Sequence, residues 1–311
     1  EFEAREQGAV PPLDSQSIGV SRFESYQPQT LIKGAQPHPT QLVESAAMAS
    51  VSFPPLTYLP TLPSALVTSG RLSAAQLETI SYAGQAHAQL LPNSERRGFY
   101  IGDGTGVGKG AQVAGILLDN WNQGRKKAVW VSENVRLLDD ARRDAEWVGL
   151  GQDRVVKHND LKGTITLPEG VIFTTYDTLS SGEKETKGQP GLQRIDQLVN
   201  WLGADFEGVI AFDEAHNMAN LKPQQGPMGQ ASGSKRARFG VELQRRLPKA
   251  RIVYVSATGA TEIANLAYAE RLGLWGEGTA FSDRDTFLSA IENGGLAAME
   301  VVAKDLKAMG L

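Results

Sequence analysis

The sequence predicts an α/β fold with a central, mostly parallel sheet and helices on both faces. Between residues 71 and 271, short apolar runs alternate with segments of helical periodicity, which is typical of strands joined by helical crossovers. A glycine-rich loop follows the first apolar run, and polar residues follow two later ones. The carboxyl ends of parallel strands share one edge of a sheet, so these segments are expected to line a single ligand-binding edge.

The expected elements follow in chain order. Ser73 is the expected N-cap of a helix that runs to about Leu90. Strands are predicted near Phe99, Val129, Val155, Ile172, Ile210 and Val253. Helices are predicted after Lys109 and around residues 137–147, 192–202 and 239–247.

The chain divides into three parts by composition. Residues 1–70 hold nine of the 15 prolines, which predicts a proline-rich, extended arm with one short helix over residues 40–49, capped by Thr40. An arm that docks on the neighbouring surface and a linker partly ordered by packing both fit this composition. Residues 71–271 form the α/β unit, and residues 272–311 are predicted to form short helices broken at Gly294-Gly295.

The glycine-rich loop has the chemistry of a phosphate-binding loop. Its glycines let backbone N–H groups turn toward phosphate oxygens, and the positive end of the next helix adds to the attraction. Lys109 can reach the β and γ phosphates as a point charge. The expected nucleotide contacts in the loop are Gly104, Thr105, Gly106, Val107, Gly108, Lys109 and Gly110.

Two positions depart from the common phosphate-loop pattern. Asp103 stands where that pattern has glycine, and Gly110 stands where it has serine or threonine. The missing hydroxyl matters because that group normally touches Mg²⁺. A tight strand-to-helix turn without a ligand is the alternative interpretation of the loop taken alone.

Two adjacent carboxylates follow the apolar run 208–212. Asp213 is placed at the end of a buried strand, where it can hold Mg²⁺, and Glu214 can orient an attacking water and take its proton. A helix N-cap with an acidic first turn is the alternative. A third segment, Ser256-Ala257-Thr258, ends the strand predicted near Val253 and completes the series.

These segments together resemble the superfamily-2 helicases and translocases. The loop resembles the Swi2/Snf2 version of motif I, residues 213–216 are a DEAH form of motif II, and residues 256–258 resemble motif III. The resemblance implies a RecA-like P-loop NTPase lobe that uses ATP and Mg²⁺. Further roles that it implies are adenine contact for Gln76, coupling for His216, Ser256 and Thr258, and nucleic-acid contact for Thr174 and Thr175.

A closer resemblance is to the strawberry notch family of helicase-like proteins. It rests on residues 102–110 with their final glycine, and on 72–83, 130–133, 256–262, 271–279 and 298–303. The similarity covers most of the chain from about Pro54 onward. It implies that the glycine after the lysine is a family trait.

Two other features bear on partners. Ser232 to Arg238 is the most basic stretch, and Lys235, Arg236 and Arg238 are candidate contacts to DNA or RNA; a solvated loop leading into a helix is the alternative. His38, His87 and His158 show no metal-ligand spacing, which favours surface positions for all three.

Bulk properties restrict the function. The net charge is −4, so nucleic-acid contact must come from a local patch. The absence of cysteine excludes disulfides and zinc–thiolate sites and fits a reducing, intracellular compartment: the cytoplasm of a prokaryote or phage-infected cell, or the nucleus of a eukaryote. No apolar run is long enough for a membrane span.

The predicted function is ATP binding and hydrolysis by the first lobe of a nucleic-acid translocase or remodeller, with DNA the favoured nucleic acid. The catalytic roles fall on Lys109, Asp213, Glu214 and His216. Too little chain follows residue 258 for a second RecA-like lobe, so the sequence is expected to be part of something longer, with weak or no hydrolysis alone. A nucleotide-binding scaffold without motor activity is the main alternative, and a lobe serving a restriction or modification enzyme is another.

Overall fold

The computed structural model describes residues 1–4, 23–104, 106–182, 193–219, 224–226, 229–231, 234–257 and 263–311. Within them the strands are β1 Phe2–Ala4, β2 Phe23–Tyr26, β3 Thr30–Ile32, β4 Leu42–Ser45, β5 Phe99–Ile101, β6 Lys127–Ser132, β7 Val155–Lys157, β8 Gly170–Thr175, β9 Val209–Phe212, β10 Gln224–Gly226, β11 Gly229–Ala231 and β12 Arg251–Val255. The α-helices are α1 Ala46–Ala49, α2 Ser64–Thr68, α3 Ala74–His87, α4 Lys109–Asn122, α5 Leu138–Val148, α6 Tyr176–Leu179, α7 Arg194–Leu202, α8 Lys235–Arg246 and α9 Arg284–Ala308.

The core is a six-stranded sheet in the order β5-β12-β9-β6-β8-β7, with every neighbouring pair parallel. All six predicted strands are present, and the predicted α/β class is confirmed. Strands β6, β8, β9 and β12 are buried along nearly their whole length, as expected where helices cover both faces. One strand, β12, separates the glycine-loop strand β5 from the acidic strand β9.

The helix α3 begins as its sequence predicts. The Ser73 hydroxyl accepts from the Gln76 amide N–H, and the Gln76 side chain accepts from the Ser73 N–H, which forms a capping box. The capping box therefore holds the Gln76 side chain at the start of the helix without help from a ligand.

The arm folds back onto the sheet unit. Strand β2 pairs antiparallel with β4, and the Tyr26 hydroxyl at the end of β2 bonds to the buried Glu78 on α3. The Gln29 N–H donates to the same carboxylate. The helix expected over residues 40–49 is a strand followed by a single helical turn, because β4 finds a partner in β2 and Ser45 caps the turn in place of Thr40.

The carboxylate that anchors the arm is expected to make stability depend on pH. Burial raises the pKa of Glu78 from its usual 4.5 to about 7. The folded state then binds the proton more tightly than the unfolded state, so this contribution is complete below pH 4.5 and is lost as pH rises through 7. We expect the wild type to lose about 3 kcal/mol of unfolding free energy between pH 4.5 and 8, and Glu78→Gln to show no such loss. Urea unfolding of both proteins across this pH range measures the difference. A stability difference that does not change with pH would contradict this.

The last segment packs beside the arm. Helix α9 starts at the Asp283 cap and bends at Gly295, whose φ is +54°. Near its end, the buried Lys307 ammonium contacts the Glu44 carboxylate at 2.7 Å and the Met48 carbonyl at 2.7 Å. Across the described ranges, no helix combines the length and the apolar character that a membrane crossing requires.

Candidate nucleotide site

The glycine loop runs from the end of β5 into α4 at the carboxyl edge of the sheet. Gly106 and Gly108 have φ of +92° and +81°, which glycine adopts without strain. A Cβ placed on Gly104 or Gly106 would meet no atom within 4 Å, so one side of the loop is open to a ligand. Thr105 lies outside the described residues.

Lys109 lies across its own loop. Its ammonium donates to the carbonyls of Asp103 at 2.9 Å and Gly104 at 3.1 Å. The positive charge is thus held over the concave side of the loop, where phosphate oxygens bind in loops of this kind.

Asp103 has a structural role that the sequence pattern did not reveal. Its Oδ2 accepts from the Gln112 side chain on α4 at 2.7 Å. Burial raises the pKa of this carboxyl, and the Gln112 bond and Lys109 act in the opposite direction. The aspartate therefore ties the first half of the loop to the helix that follows it.

Asp144 explains the glycine after the lysine. A Cβ on Gly110 would lie 1.9 Å from the Asp144 Oδ2 and 3.0 Å from its Cγ, so no side chain fits at 110 while Asp144 stays in place. Arg143 donates to the other oxygen, Oδ1, at 3.2 and 3.3 Å. A carboxylate oxygen from α5 thus occupies the position that the side chain of serine or threonine takes in the common pattern.

Gln76 joins the start of α3 to the loop. Its Nε2 donates to the Val107 carbonyl at 3.0 Å and, more weakly, to the Gly108 carbonyl at 3.4 Å. Its Oε1 belongs to the capping box. The side chain adjoins the loop, as the resemblance implies, and the adenine contact stays a prediction.

Asp213 stands directly after β9 at the same edge of the sheet. Its Oδ2 accepts from the Ser132 hydroxyl at 3.2 Å, and its Oδ1 accepts from the Glu214 N–H at 3.0 Å. Burial, followed by the charge of Glu214, raises the pKa of Asp213 to about 6. Burial disfavours the ionised form of this carboxyl, and a bound cation beside it would favour that form.

Glu214, His216 and Ser256 form one connected group. Glu214 has a left-handed backbone with φ of +48°, which is uncommon outside glycine and concentrates at functional sites. The His216 Nδ1 lies 3.3 Å from Glu214 Oε2 and 3.3 Å from Ser256 Oγ. The predicted coupling residues of the second and third motifs therefore meet through a single imidazole. Thr258 lies outside the described residues.

The residues predicted to contact nucleic acid divide into two kinds. Thr174 is buried and its hydroxyl bonds to His158 Nδ1 at 2.9 Å, while the Thr175 hydroxyl caps α6 through the Thr178 N–H at 3.1 Å. Both threonines are buried in this structure, and their contact with nucleic acid stays a prediction. His158 and also His87 are buried, which corrects the surface positions expected for them.

The basic stretch is partly neutralised. Arg236 makes a two-pronged pair with Asp177, with both N–O distances 2.7 Å, and donates to Asn217 at 2.9 Å. Lys235 and Arg238 are exposed at the start of α8. These two side chains are the ones available to a phosphate backbone.

The oxygen donors at this edge fit a magnesium ion. Mg²⁺ is usually held by one or two carboxylates together with phosphate oxygens and water. Asp213 supplies one carboxylate, and Asp144 places a second against the first turn of α4. The site therefore still has oxygen donors for the ion, although the loop lacks the usual hydroxyl.

A phosphate-type loop and an acidic strand end lie at one edge of a parallel sheet, on strands separated by β12, and together they define a P-loop NTPase domain. The family model described as "P-loop containing NTP hydrolase pore-1" matches residues 37–311. The chain belongs to that family.

Curated relatives are strawberry notch proteins, which confirms the resemblance seen in the sequence. The chain is 44% identical over 307 residues to protein strawberry notch of Drosophila melanogaster, covering 96% of this chain and 18% of that protein. It is 45% identical over 290 residues to human strawberry notch homolog 2, covering 93% of this chain and 20% of that protein. The chain thus spans about a fifth of the length of these relatives.

One solved structure supports the fold. The chain resembles the Sulfolobus solfataricus SWI2/SNF2 ATPase core, solved in complex with double-stranded DNA, with a TM-score of 0.51 and 14% identity over 80% of this chain and 45% of the other. At that identity the likeness concerns the fold alone.

Proposed function

We propose that this chain is the ATP-binding and hydrolysing first lobe of a superfamily-2-type nucleic-acid translocase or remodeller. The observation that carries the proposal is the meeting of three separate segments at one sheet edge. The loop lysine, the Asp213–Glu214 pair and Ser256 all follow strands of the same parallel sheet, and His216 joins the last two.

Each residue then has a role in phosphoryl transfer. Lys109 and the loop amides hold the phosphates, and Asp213 together with Asp144 would hold Mg²⁺, which when bound would neutralise phosphate charge. Glu214 orients the attacking water and accepts its proton. His216 reports the state of Glu214 to Ser256, to which it is bonded.

The partners follow from the same proposal. DNA is the favoured nucleic acid, approached by Lys235 and Arg238, which are exposed beside the acidic motif. Phosphoryl transfer also needs positive charge opposite the γ phosphate, often an arginine worth about 10³- to 10⁵-fold in rate. We propose that a second RecA-like lobe of a longer protein supplies it, so the chain alone hydrolyses ATP slowly.

Nucleotide binding tests the first half of the proposal. We expect Lys109→Ala to weaken ATP binding at least tenfold, because the charge held over the loop is lost. Titration calorimetry with ATP and Mg²⁺ measures this, and Lys235→Ala, a lysine away from the loop, is the matched control. Equal affinity of the wild type and Lys109→Ala would contradict the proposal.

Hydrolysis separates the motor from a scaffold. A nucleotide-binding scaffold is the second candidate, and Gly110 favours it because the usual metal-binding hydroxyl is missing. We expect Glu214→Gln to leave ATP binding unchanged and to lower ATP turnover about 100-fold, within the range of general-base catalysis. Turnover is measured with DNA, with RNA and with neither. A Glu214→Gln protein that keeps the turnover of the wild type would support the scaffold.

A further inference from the structure

A buried indole lies behind the acidic pair at the sheet edge. Trp130 on β6 is 3% exposed, and within the described part of the chain its Nε1 has no hydrogen-bond acceptor. The indole N–H groups of Trp147 and Trp201, by contrast, donate to backbone carbonyls at 2.8 Å. A buried donor without an acceptor costs free energy and is uncommon in folded proteins. Packing alone would be served as well by an apolar side chain, which would leave no donor unmet.

The register of the sheet puts this indole on the same face as Asp213. Trp130 is paired in parallel with Ala211, and the Asp213 N–H continues the ladder by donating to the Val131 carbonyl at 2.8 Å. Residues two apart in a strand share a face, so Trp130 and Ser132 share the face that carries Ala211 and Asp213. The Ser132 hydroxyl confirms this arrangement, because it donates to the Asp213 Oδ2 at 3.2 Å.

The same register brings the indole close to the Asp213 carboxylate. Diagonal neighbours on one face of a sheet are within reach of an aromatic side chain, and Trp130 and Asp213 are related in this way. Burial and the charge of Glu214 raise the pKa of Asp213, whereas Ser132 and Trp130 act in the opposite direction, as donors beside a carboxylate do. The Trp130 N–H therefore adjoins Asp213 but stays outside hydrogen-bond geometry in this structure.

The Asp213 carboxylate can accept from the indole and hold an ion at the same time. A carboxylate has about four acceptor positions on its two oxygens. The Ser132 hydroxyl takes one position on Oδ2, and the Glu214 N–H takes one on Oδ1. One of the remaining positions suits the indole N–H, and another is left for a cation. Hydrogen-bond partners of this kind orient a carboxylate that binds metal.

We propose that Trp130 is a positioning residue for Asp213, and that its indole N–H donates to the carboxylate when Asp213 holds the metal ion of a bound nucleotide. The inference rests on the proposed function and extends it, because it assigns a residue of β6 to metal binding. The donor that lacks an acceptor in this structure then gains one, which favours the orientation of the carboxylate that binds the ion. Trp130 thus contributes to the affinity for ATP with Mg²⁺ and not to the affinity for ATP alone.

ATP binding with and without the metal tests the proposal. Trp130→Phe keeps an aromatic ring and removes the N–H. We expect its ATP affinity in Mg²⁺ to fall about tenfold, as for other partners of metal-binding carboxylates, and its ATP affinity in EDTA to equal that of the wild type. Titration calorimetry measures both. Wild-type affinity in Mg²⁺, or the same loss in Mg²⁺ and in EDTA, would overturn the proposal.

Trp201→Phe is the matched control. It removes the same atoms from another buried tryptophan, whose N–H donates to the Leu167 carbonyl and not to a group at the nucleotide site. A general effect of the smaller ring would therefore appear in both variants. We expect Trp201→Phe to bind ATP as the wild type does in both conditions. A loss confined to Mg²⁺ that is equal in the two variants would count against a specific role for Trp130.

The indole N–H resonances of isotope-labelled protein provide a measurement that does not depend on turnover. The chain has five tryptophans, and the resonance of Trp130 is the one that disappears in Trp130→Phe. We expect this resonance to move downfield when ATP and Mg²⁺ are added to the wild type, since a hydrogen bond to a carboxylate deshields the proton, and to move less with ATP in EDTA. A Trp130 resonance that keeps its position while ATP and Mg²⁺ bind would overturn the proposal.

The outcomes also separate this proposal from the function on which it rests. Wild-type protein that binds ATP with Mg²⁺, together with an unmoved Trp130 resonance and wild-type affinity in Trp130→Phe, keeps the nucleotide site and removes Trp130 from it. Wild-type protein that binds no nucleotide overturns both.

Discussion

Gly110→Ser is expected to damage the nucleotide site, and a second substitution, Asp144→Ala, is expected to repair it. The new Cβ would lie 1.9 Å from the Asp144 Oδ2, so the Asp144 carboxylate must turn away from the loop. A side-chain end that turns away costs less than the 1–3 kcal/mol typical of overpacking that moves backbone. We expect unfolding free energy to fall by about 1 kcal/mol and ATP affinity to fall about tenfold, because the carboxylate oxygen leaves its place beside the loop.

The double variant Gly110→Ser/Asp144→Ala restores the common pattern by a different route. Alanine at 144 removes the carboxylate, and its Cβ stays 3.8 Å from the Cβ at 110, an ordinary contact. The serine hydroxyl then takes the place of the Asp144 oxygen near the metal. We expect most of the stability and of the Mg²⁺-dependent ATP affinity to return.

Two further proteins control this experiment. Asp144→Ala alone keeps the loop backbone but loses an oxygen donor, so ATP binding should fall about tenfold and depend less on Mg²⁺. Asp140→Ala, which removes an exposed aspartate on the same helix that pairs with Arg143, should behave like the wild type. Affinities measured with and without Mg²⁺ decide the matter. If the double variant loses as much ATP affinity as the two single variants combined, Asp144 does not take the place of the hydroxyl.

Arg271→Ala is expected to cost about 3–5 kcal/mol of unfolding free energy. The side chain is fully buried, and its guanidinium donates to the carbonyls of Arg96 at 3.2 Å, Pro248 at 2.9 Å and Leu247 at 3.0 Å, and also to that of Gln244. Glu95 supplies the opposite charge at 3.5 Å. Removing the guanidinium takes one donor from each of these carbonyls and leaves the Glu95 carboxylate without its buried partner.

The contacts of Arg271 join the end of α8 to the segment just before β5. The Gly98 N–H, just before the glycine-loop strand, donates to the Arg271 carbonyl at 2.7 Å, and the acceptors from Gln244 and Leu247 end α8. Urea unfolding followed by circular dichroism measures the change. Arg245→Ala is the matched control, because that arginine pairs with Glu270 at the surface and should cost less than about 1 kcal/mol. A cost below 1 kcal/mol for Arg271→Ala would contradict its assigned role.

Elements with strong local signals were predicted well. The six sheet strands are continuous apolar runs, and such runs have few alternatives in a parallel sheet. Ser73 begins α3 as expected, because capping is a short-range interaction between residues three apart. The order of motifs along the chain also predicted that the loop, the acidic pair and Ser256 share one edge.

Residues with weak local signals were placed only by long-range contacts. Thr40 to Ala49 has helix-forming composition, yet β4 forms there because β2 offers a strand partner. His158 has no sequence pattern that marks it as buried, and it is buried because Thr174 and Gln197 provide partners for both ring nitrogens. Asp144 has no known motif around it, so its contact with Gly110 was not foreseen.

From the amino-acid order alone came the fold class, the family and the set of nucleotide motifs, because strand periodicity and loop chemistry are encoded within a few residues of each other. Three-dimensional packing was needed to show that a carboxylate fills the space at Gly110, that Arg271 closes the end of α8, and that the proline-rich arm is bonded to α3 through Tyr26 and Glu78. Those pairings join residues 24 to 52 positions apart. Such contacts depend on how helices and arm meet across the sheet, which no local pattern specifies.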